Sequence, residues 1–225
     1  MKKELPLTFL KGILAGLSIG LGGFLYILMT FLLQNELGKI LGSTLFAVGL
    51  FLVCTFMLSL YTGKIGLVYE GKKNLTFYLS LPIMLIGNAV GAIGLGYLCF
   101  LIFKNNEYVM AVVNQACESR LVFHNFYDYL MVIVKSFLCG FCVYMAVKLF
   151  NMFRLKPLGI LLLVFFVFVF VYCGFQHCIA NMFYFGFGNT YANGYTYLNL
   201  GLCILFNSLG PIMGVIIPIN KKEGN

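Results

Sequence analysis

Two short runs in an otherwise apolar chain hold the side chains able to bind an ion or exchange a proton. One is Leu60-Tyr61-Thr62-Gly63-Lys64-Ile65-Gly66; the other is Cys173-Gly174-Phe175-Gln176-His177-Cys178-Ile179-Ala180-Asn181-Met182. His177 can change charge near neutral pH, because an unperturbed imidazole titrates at about 6.5. Thr62 offers a hydroxyl that donates and accepts hydrogen bonds without titrating in that range. Lys64 adds a cation beside it, and Gln176 and Asn181 add neutral amides. Polar groups inside apolar spans are expensive and face a bundle interior or a watery cavity. Thr62 lies about 50 residues after the start of the first apolar run, and His177 about 50 after the start of the fourth. Matching interruptions of that kind point to an inverted repeat with a binding site at the two breaks.

Two other chemistries were weighed on the same residues. Cys173 and His177 are spaced i, i+4 and would share a helix face, a pair of soft-metal ligands. Two ligands with no nearby carboxylate make a poor metal site, so no metal and no cofactor is expected. Bis-histidine haem, the mark of a membrane oxidoreductase subunit, has only His124 as a second ligand, and that residue lies outside the apolar spans. No Gly-x-x-x-x-Gly-Lys-Ser/Thr loop for nucleotide phosphate occurs, and no enzyme activity is expected.

The elements that must position these runs follow from composition. The chain has 225 residues, 61% hydrophobic and 10% charged, with a mean hydropathy of +0.97. Soluble domains carry about 25% charged residues, and disorder needs low hydrophobicity, so both classes are excluded. Leu161–Val171 does not alternate as a barrel strand does. The chain reads as an all-α polytopic membrane protein. At roughly 20 apolar residues per span, the uncharged runs predict six: Gly12–Leu33, Ile40–Gly63, Asn74–Phe103, Tyr127–Phe150, and two within Pro157–Asn220. They are expected to form a single transmembrane domain over 1–225, with inverted three-helix repeats of about 11–103 and 127–220 and broken second and fifth helices, an aquaporin-like architecture. The run after Lys11 is too long for a cleavable signal and reads as the first span.

The net charge of +8 reads as orientation rather than nucleic-acid binding. Lys2, Lys3, Lys11, Lys72, Lys73, Lys148, Arg154, Lys156, Lys221 and Lys222 fall on one side. Lys39, Lys104 and Arg120 fall on the other, with Glu36, Glu107, Glu118 and Asp128. By the positive-inside rule both termini are cytoplasmic, in the cell (inner) membrane. Seven of the eight cysteines lie in apolar stretches, where a free thiol packs as a small hydrophobe. Glycines four apart (Gly12, Gly16 and Gly20; Gly87 and Gly91; Gly210 and Gly214) let membrane helices approach closely.

The run Gly174–Phe183 resembles the Gly-Phe-Glu-His-x-x-Ala-Asn-Met-Phe signature of the formate/nitrite transporter family, pentameric channels for small monovalent anions. Tyr61-Thr62-Gly63 is similar to the threonine-bearing loop that interrupts that family's second helix, and Ala15-Gly16-x-x-Ile19-Gly20 fits its first span. The resemblance covers nearly the whole chain. It implies a homopentamer in the lipid bilayer, with a pore through each protomer. Thr62 and His177 would lie near the pore's middle, and Phe46, Leu50, Leu60, Val143 and Phe170 would form apolar constrictions. Three positions depart from the pattern. Gln176 replaces the glutamate, Gly140 falls where formate channels carry asparagine, and Lys64 follows Thr-Gly where nitrite-type members often have asparagine. Thr-Gly-Lys-Ile-Gly and Lys148 look most like the hydrosulfide branch.

Electrostatics then sets the expected mechanism. A bare anion crossing an apolar constriction costs roughly several kcal/mol or more, whereas a protonated weak acid is neutral. Lys64, Lys148 and Lys156 would concentrate the anion at the mouth. Thr62, His177 and Asn181 would line its path, with a proton passed by or through His177. An aquaporin-like channel for neutral solutes is the alternative with the same architecture, though neither break contains Asn-Pro-Ala.

Overall fold

The computed structural model describes residues 4–153 and 156–217. Lys2, Lys3, Arg154, Lys221 and Lys222, used above to orient the chain, lie outside the described residues. The first helix, α1 (Glu4–Leu33), runs parallel to α4 (Leu75–Phe103), and glycine is what lets them touch. A Cβ at Gly16 would overlap the Asn88 carbonyl, and one at Gly91 would overlap the Ile13 carbonyl. Between them α2 (Glu36–Thr55) turns back along α1, its first turn capped by Asn35 Oδ1, which accepts the Gly38 N–H at 3.0 Å. It ends where Met57 adopts φ 52°. The chain becomes helical again only as a four-residue turn, α3 (Tyr61–Lys64), continued by a 3-10 turn over Ile65–Val68.

After α4 comes α5 (Glu107–Glu118), a short amphipathic helix with Val109, Val113 and Cys117 buried. The sequence showed only a polar stretch there. The second half opens with α6 (Phe126–Met152), started by a capping box of Asn125 and Asp128. It continues with α7 (Pro157–Tyr172), whose proline occupies the first turn, where its missing N–H is no loss. The chain leaves α7 through Gly174, at φ +66°, and restarts as α8 (Cys178–Phe187), all ten of whose residues are buried. Helices α9 (Gly194–Leu209) and α10 (Pro211–Ile216) complete the bundle. Here α9 runs parallel to α6, and Cβ atoms at Gly140 and Gly210 would overlap the Asn207 and Phe137 carbonyls.

Five of the described helical stretches are long and apolar enough to cross a membrane: Glu4–Leu33, Glu36–Thr55, Leu75–Phe103, Phe126–Met152 and Gly194–Ile216. The expected fifth span is divided into α7 and α8, neither of which reaches that length. The expected second span also needs correcting. The interruption falls at residues 56–60, just before Thr62, and Tyr61–Lys64 is helical.

Candidate functional site

Each break is held by one buried asparagine from the parallel pair beside it. From α4, Asn88 Oδ1 accepts the Tyr61 N–H at 2.8 Å, and its Nδ2 donates to the Ser59 and Gly12 carbonyls, both at 2.8 Å. From α9, Asn207 Oδ1 accepts the Cys178 N–H at 2.8 Å, and its Nδ2 donates to the Gln176 carbonyl at 2.8 Å and the Ser136 carbonyl at 2.7 Å. In both cases the acceptor meets the first amide of the restarted helix, and one donor reaches back two residues. Helix N-termini leave amides without intrahelical partners, and these two side chains satisfy them where water is scarce.

Anchored in this way, the two breaks bring Thr62 and His177 together. Thr62 Oγ1 lies 2.8 Å from His177 Nε2, and both residues are buried. His177 is also the N-cap of α8, its Nδ1 accepting the Ala180 N–H at 3.2 Å. The two bonds fix the tautomer: a neutral imidazole that accepts at Nδ1 carries its hydrogen on Nε2 and donates it to Thr62. The Phe170 ring stands 5.9 Å from the imidazole and packs edge-on against Phe46 at 5.7 Å.

Two cavities flank this pair. The larger, about 270 Å³, is lined by His177, Phe46, Phe170 and Asn181, and by Arg120, Lys135 and Lys39, the last ion-paired with Glu36 at 2.7 Å; among the described residues no carboxylate lines it. The smaller, about 80 Å³, is lined by Leu60, Gly63, Lys64, Cys54, Val147 and Asn151. One face of α2 passes from Phe46 in the first, past Leu50, to Val53 and Cys54 in the second. A face of α6 likewise passes from Lys135, past Val143, to Val147. Leu50 and Val143, both buried, therefore lie along those faces between the two cavities.

A polar cluster backs the larger cavity. Asn181 Nδ2 donates to Gln176 Oε1 and Asn199 Oδ1, both at 2.9 Å, and Asn181 Oδ1 accepts from Arg120 Nε at 2.9 Å. Asn199 Nδ2 donates to Gln176 Oε1 and to the Arg120 carbonyl, both at 2.8 Å. The Arg120 guanidinium lies over the Tyr184 ring, 4.4 Å from its centre, a cation–π contact that leaves its charge toward the cavity. Beneath it, Cys117 Sγ donates to the Tyr184 carbonyl at 3.2 Å, and burial pushes that thiol up to about 11, so it stays protonated.

The profile of the family described as formate/nitrite transporter matches residues 1–219. The chain belongs to the formate/nitrite transporter family. It is a multi-pass membrane transport protein for small anions rather than an enzyme. Among solved structures it is similar to a pentameric formate channel with formate bound, at TM-score 0.75 and 23% identity, over 96% of this chain and 94% of that one. It is also similar to an ion channel of the same family, at TM-score 0.71 and 21% identity, over 94% and 87%. No curated protein matches the sequence.

Within this formate/nitrite transporter the expected residues sort unevenly. Thr62, His177, Asn181, Phe46, Phe170, Leu60 and Lys64 all meet the two cavities or the bond between them. Lys148 does not. Its Nζ donates to Tyr144 Oη at 2.8 Å and lies 3.4 Å from Glu70, whose carboxylate also accepts from Tyr144. Cys173 and His177 share no helix, since Cys173 caps the end of α7 and His177 caps the start of α8, and Cys173 is exposed. At Gly140 the Asn207 carbonyl occupies the place a side chain would take, so an asparagine would not fit. Sequence reasoning missed Asn88, Asn207, Lys135 and the inward reach of Arg120. An asparagine inside an apolar span was the signal available for the first two.

Proposed function

We propose that the protein is a passive channel for small monovalent weak-acid anions, one pore per protomer. The observation that carries this reading is the buried Thr62–His177 bond, set between a cation-lined cavity and a smaller one holding Lys64. The larger cavity faces outward by the charge distribution, and both termini are cytoplasmic. Lys39, Lys135 and Arg120 gather the anion there. Phe46 and Phe170, then Leu50 and Val143, and finally Leu60 strip its water. Thr62 and His177 supply the polar contacts at the neck, and a proton handled by His177 neutralises the anion for the narrow step.

Hydrosulfide is the substrate we favour. The neck presents one hydroxyl–imidazole pair, and Val143 from α6 adds no donor to it, so nothing is placed for the other oxygen of a carboxylate. Assembly is as a homopentamer, supported by the pentameric relative whose fold spans almost the whole chain. The two halves are three-helix units of opposite orientation, supported by the matching asparagine anchors. Uptake into proteoliposomes of hydrosulfide, formate, nitrite, lactate and acetate, at two external pH values, is the test. Uptake of small anions with hydrosulfide fastest is expected. Passage of neutral solutes with no anion flux would replace this reading by the aquaporin-like one.

A further inference from the structure

A neutral imidazole has one N–H and one bare nitrogen, and in His177 both are occupied. Nε2–H points at Thr62, and Nδ1 holds the Ala180 N–H that closes the first turn of α8. A proton arriving from the cavity therefore has one landing place, the Nδ1 lone pair, and that atom is already the helix cap. Once protonated, Nδ1 is a donor facing the Ala180 donor. The two must part, and the ring must turn, drawing Nε2 away from Thr62.

We propose that His177 is a proton-operated latch: taking up a proton with an anion releases the α8 cap and the Thr62 contact together, and returning the proton restores both. This rests on the anion-channel reading above. The balance is simple. A hydronium ion from the outer solution supplies the proton, forming an N–H bond at Nδ1 and leaving water. That bond then breaks toward the anion, the electron pair stays on Nδ1, and the neutral acid leaves through the neck.

The surroundings favour a paired arrival. Phe170 of α7 and Thr62 of α3 touch the ring. The charged and titratable groups sharing its cavity are Tyr26 of α1, Lys39 of α2, Arg120 after α5, Lys135 of α6 and Tyr184 of α8. None of them is acidic enough to balance an imidazolium near neutral pH, so the entering anion is the partner that does. Release stays local. The Cys178 N–H remains on Asn207 and the Asn181 N–H on the His177 carbonyl, both at 2.8 Å.

The chain has two histidines, and exposed His124 serves as an internal reference for nitrogen NMR of histidine-labelled protein in lipid bilayers, with sodium hydrosulfide as the probe anion. At alkaline pH the expected signals are a bare, hydrogen-bonded Nδ1 and a protonated Nε2 on His177. On acidification Nδ1 should gain its proton at the midpoint of the uptake curve, and the Ala180 amide signal should shift with it. A bare Nδ1 throughout the range in which uptake changes overturns the latch, as does a protonated Nδ1 with an unmoved Ala180 amide. His177→Asn keeps a good cap acceptor but cannot hold the proton. It should assemble, and a rate change of about tenfold between pH ~5 and ~8 in the parent should fall below about twofold. A retained pH profile in that variant also overturns the proposal. Absence of anion uptake by the parent protein would instead overturn the channel reading, and the NMR titration would still report on the latch.

Discussion

The two helix breaks are anchored alike and furnished differently. At the first, Asn88 ties the restart of a four-residue turn, and the neighbouring bonds are those of Tyr61 and Tyr69 to Ser208. At the second, Asn207 ties the restart of a ten-residue buried helix that is also capped by His177 and joined to Gln176, Asn181, Asn199 and Arg120. The shared part belongs to the architecture, because backbone groups freed inside a membrane need partners wherever a helix is interrupted. The unshared part belongs to the chemistry. The second break carries the titratable group and the cation, whereas the first contributes a hydroxyl and a lysine that faces the smaller cavity.

Substitutions can break that comparison in order of effect. Asn88→Leu leaves the Tyr61 amide and the Ser59 and Gly12 carbonyls without partners, at about 1–3 kcal/mol for each buried group. It should abolish the assembled protein on size-exclusion chromatography. Asn207→Leu strips the same three kinds of group, but the His177 cap still holds α8; a lowered melting temperature with assembly retained is expected. Equal loss from both would mean that the polar cluster adds nothing to the second break. Arg120→Met removes a permanent charge from the larger cavity. The concentration for half-maximal uptake should rise about tenfold at low ionic strength and far less in high salt, and uptake curves at two salt concentrations decide it. Thr62→Val should slow uptake several-fold at every pH tested, as loss of one hydrogen bond of about 1 kcal/mol implies, and, because that bond belongs to neutral His177 alone, should move the pH midpoint upward by under about one unit without flattening the profile. Lys148→Met should be the mildest. Its pair with Glu70 is partly exposed and worth at most about 1 kcal/mol, so thermal stability should dip and transport kinetics stay unchanged. A clear change in anion selectivity would return Lys148 to the pathway.

Much of this was legible in the sequence, for reasons that differ residue by residue. His177 and Thr62 stood out because polar side chains inside charge-free runs must face something polar. The glycines at 16, 91, 140 and 210 were visible, and each of the four turns out to face a carbonyl of a parallel helix. Asn88 and Asn207 sat among them unremarked, although Asn88 is the single amide within α4 and Asn207 shares the apolar α9 only with Asn199. Arg120 was assigned to a side by the charge balance but not to the site, because α5 was hidden in a polar stretch and the reach of Arg120 over Tyr184 depends on contacts distant in sequence. The Lys148 pair was hidden for the same reason: its partner Glu70 lies in the turn after the 3-10 segment, far away in sequence, and charge alone does not reveal who neutralises it.

The amides at the start of α8 bear on how long an ion stays. A helix beginning inside a membrane usually presents its N–H groups as an anion trap. Here the first and third amides are already committed to neutral acceptors, Asn207 Oδ1 and His177 Nδ1. On the proposed pathway an ion at the neck meets donors that are in use, and the hydroxyl of Thr62 rather than a helix dipole is expected to set its dwell time. Weak retention of that kind is what high throughput requires, since a site that held its anion firmly would be blocked by it.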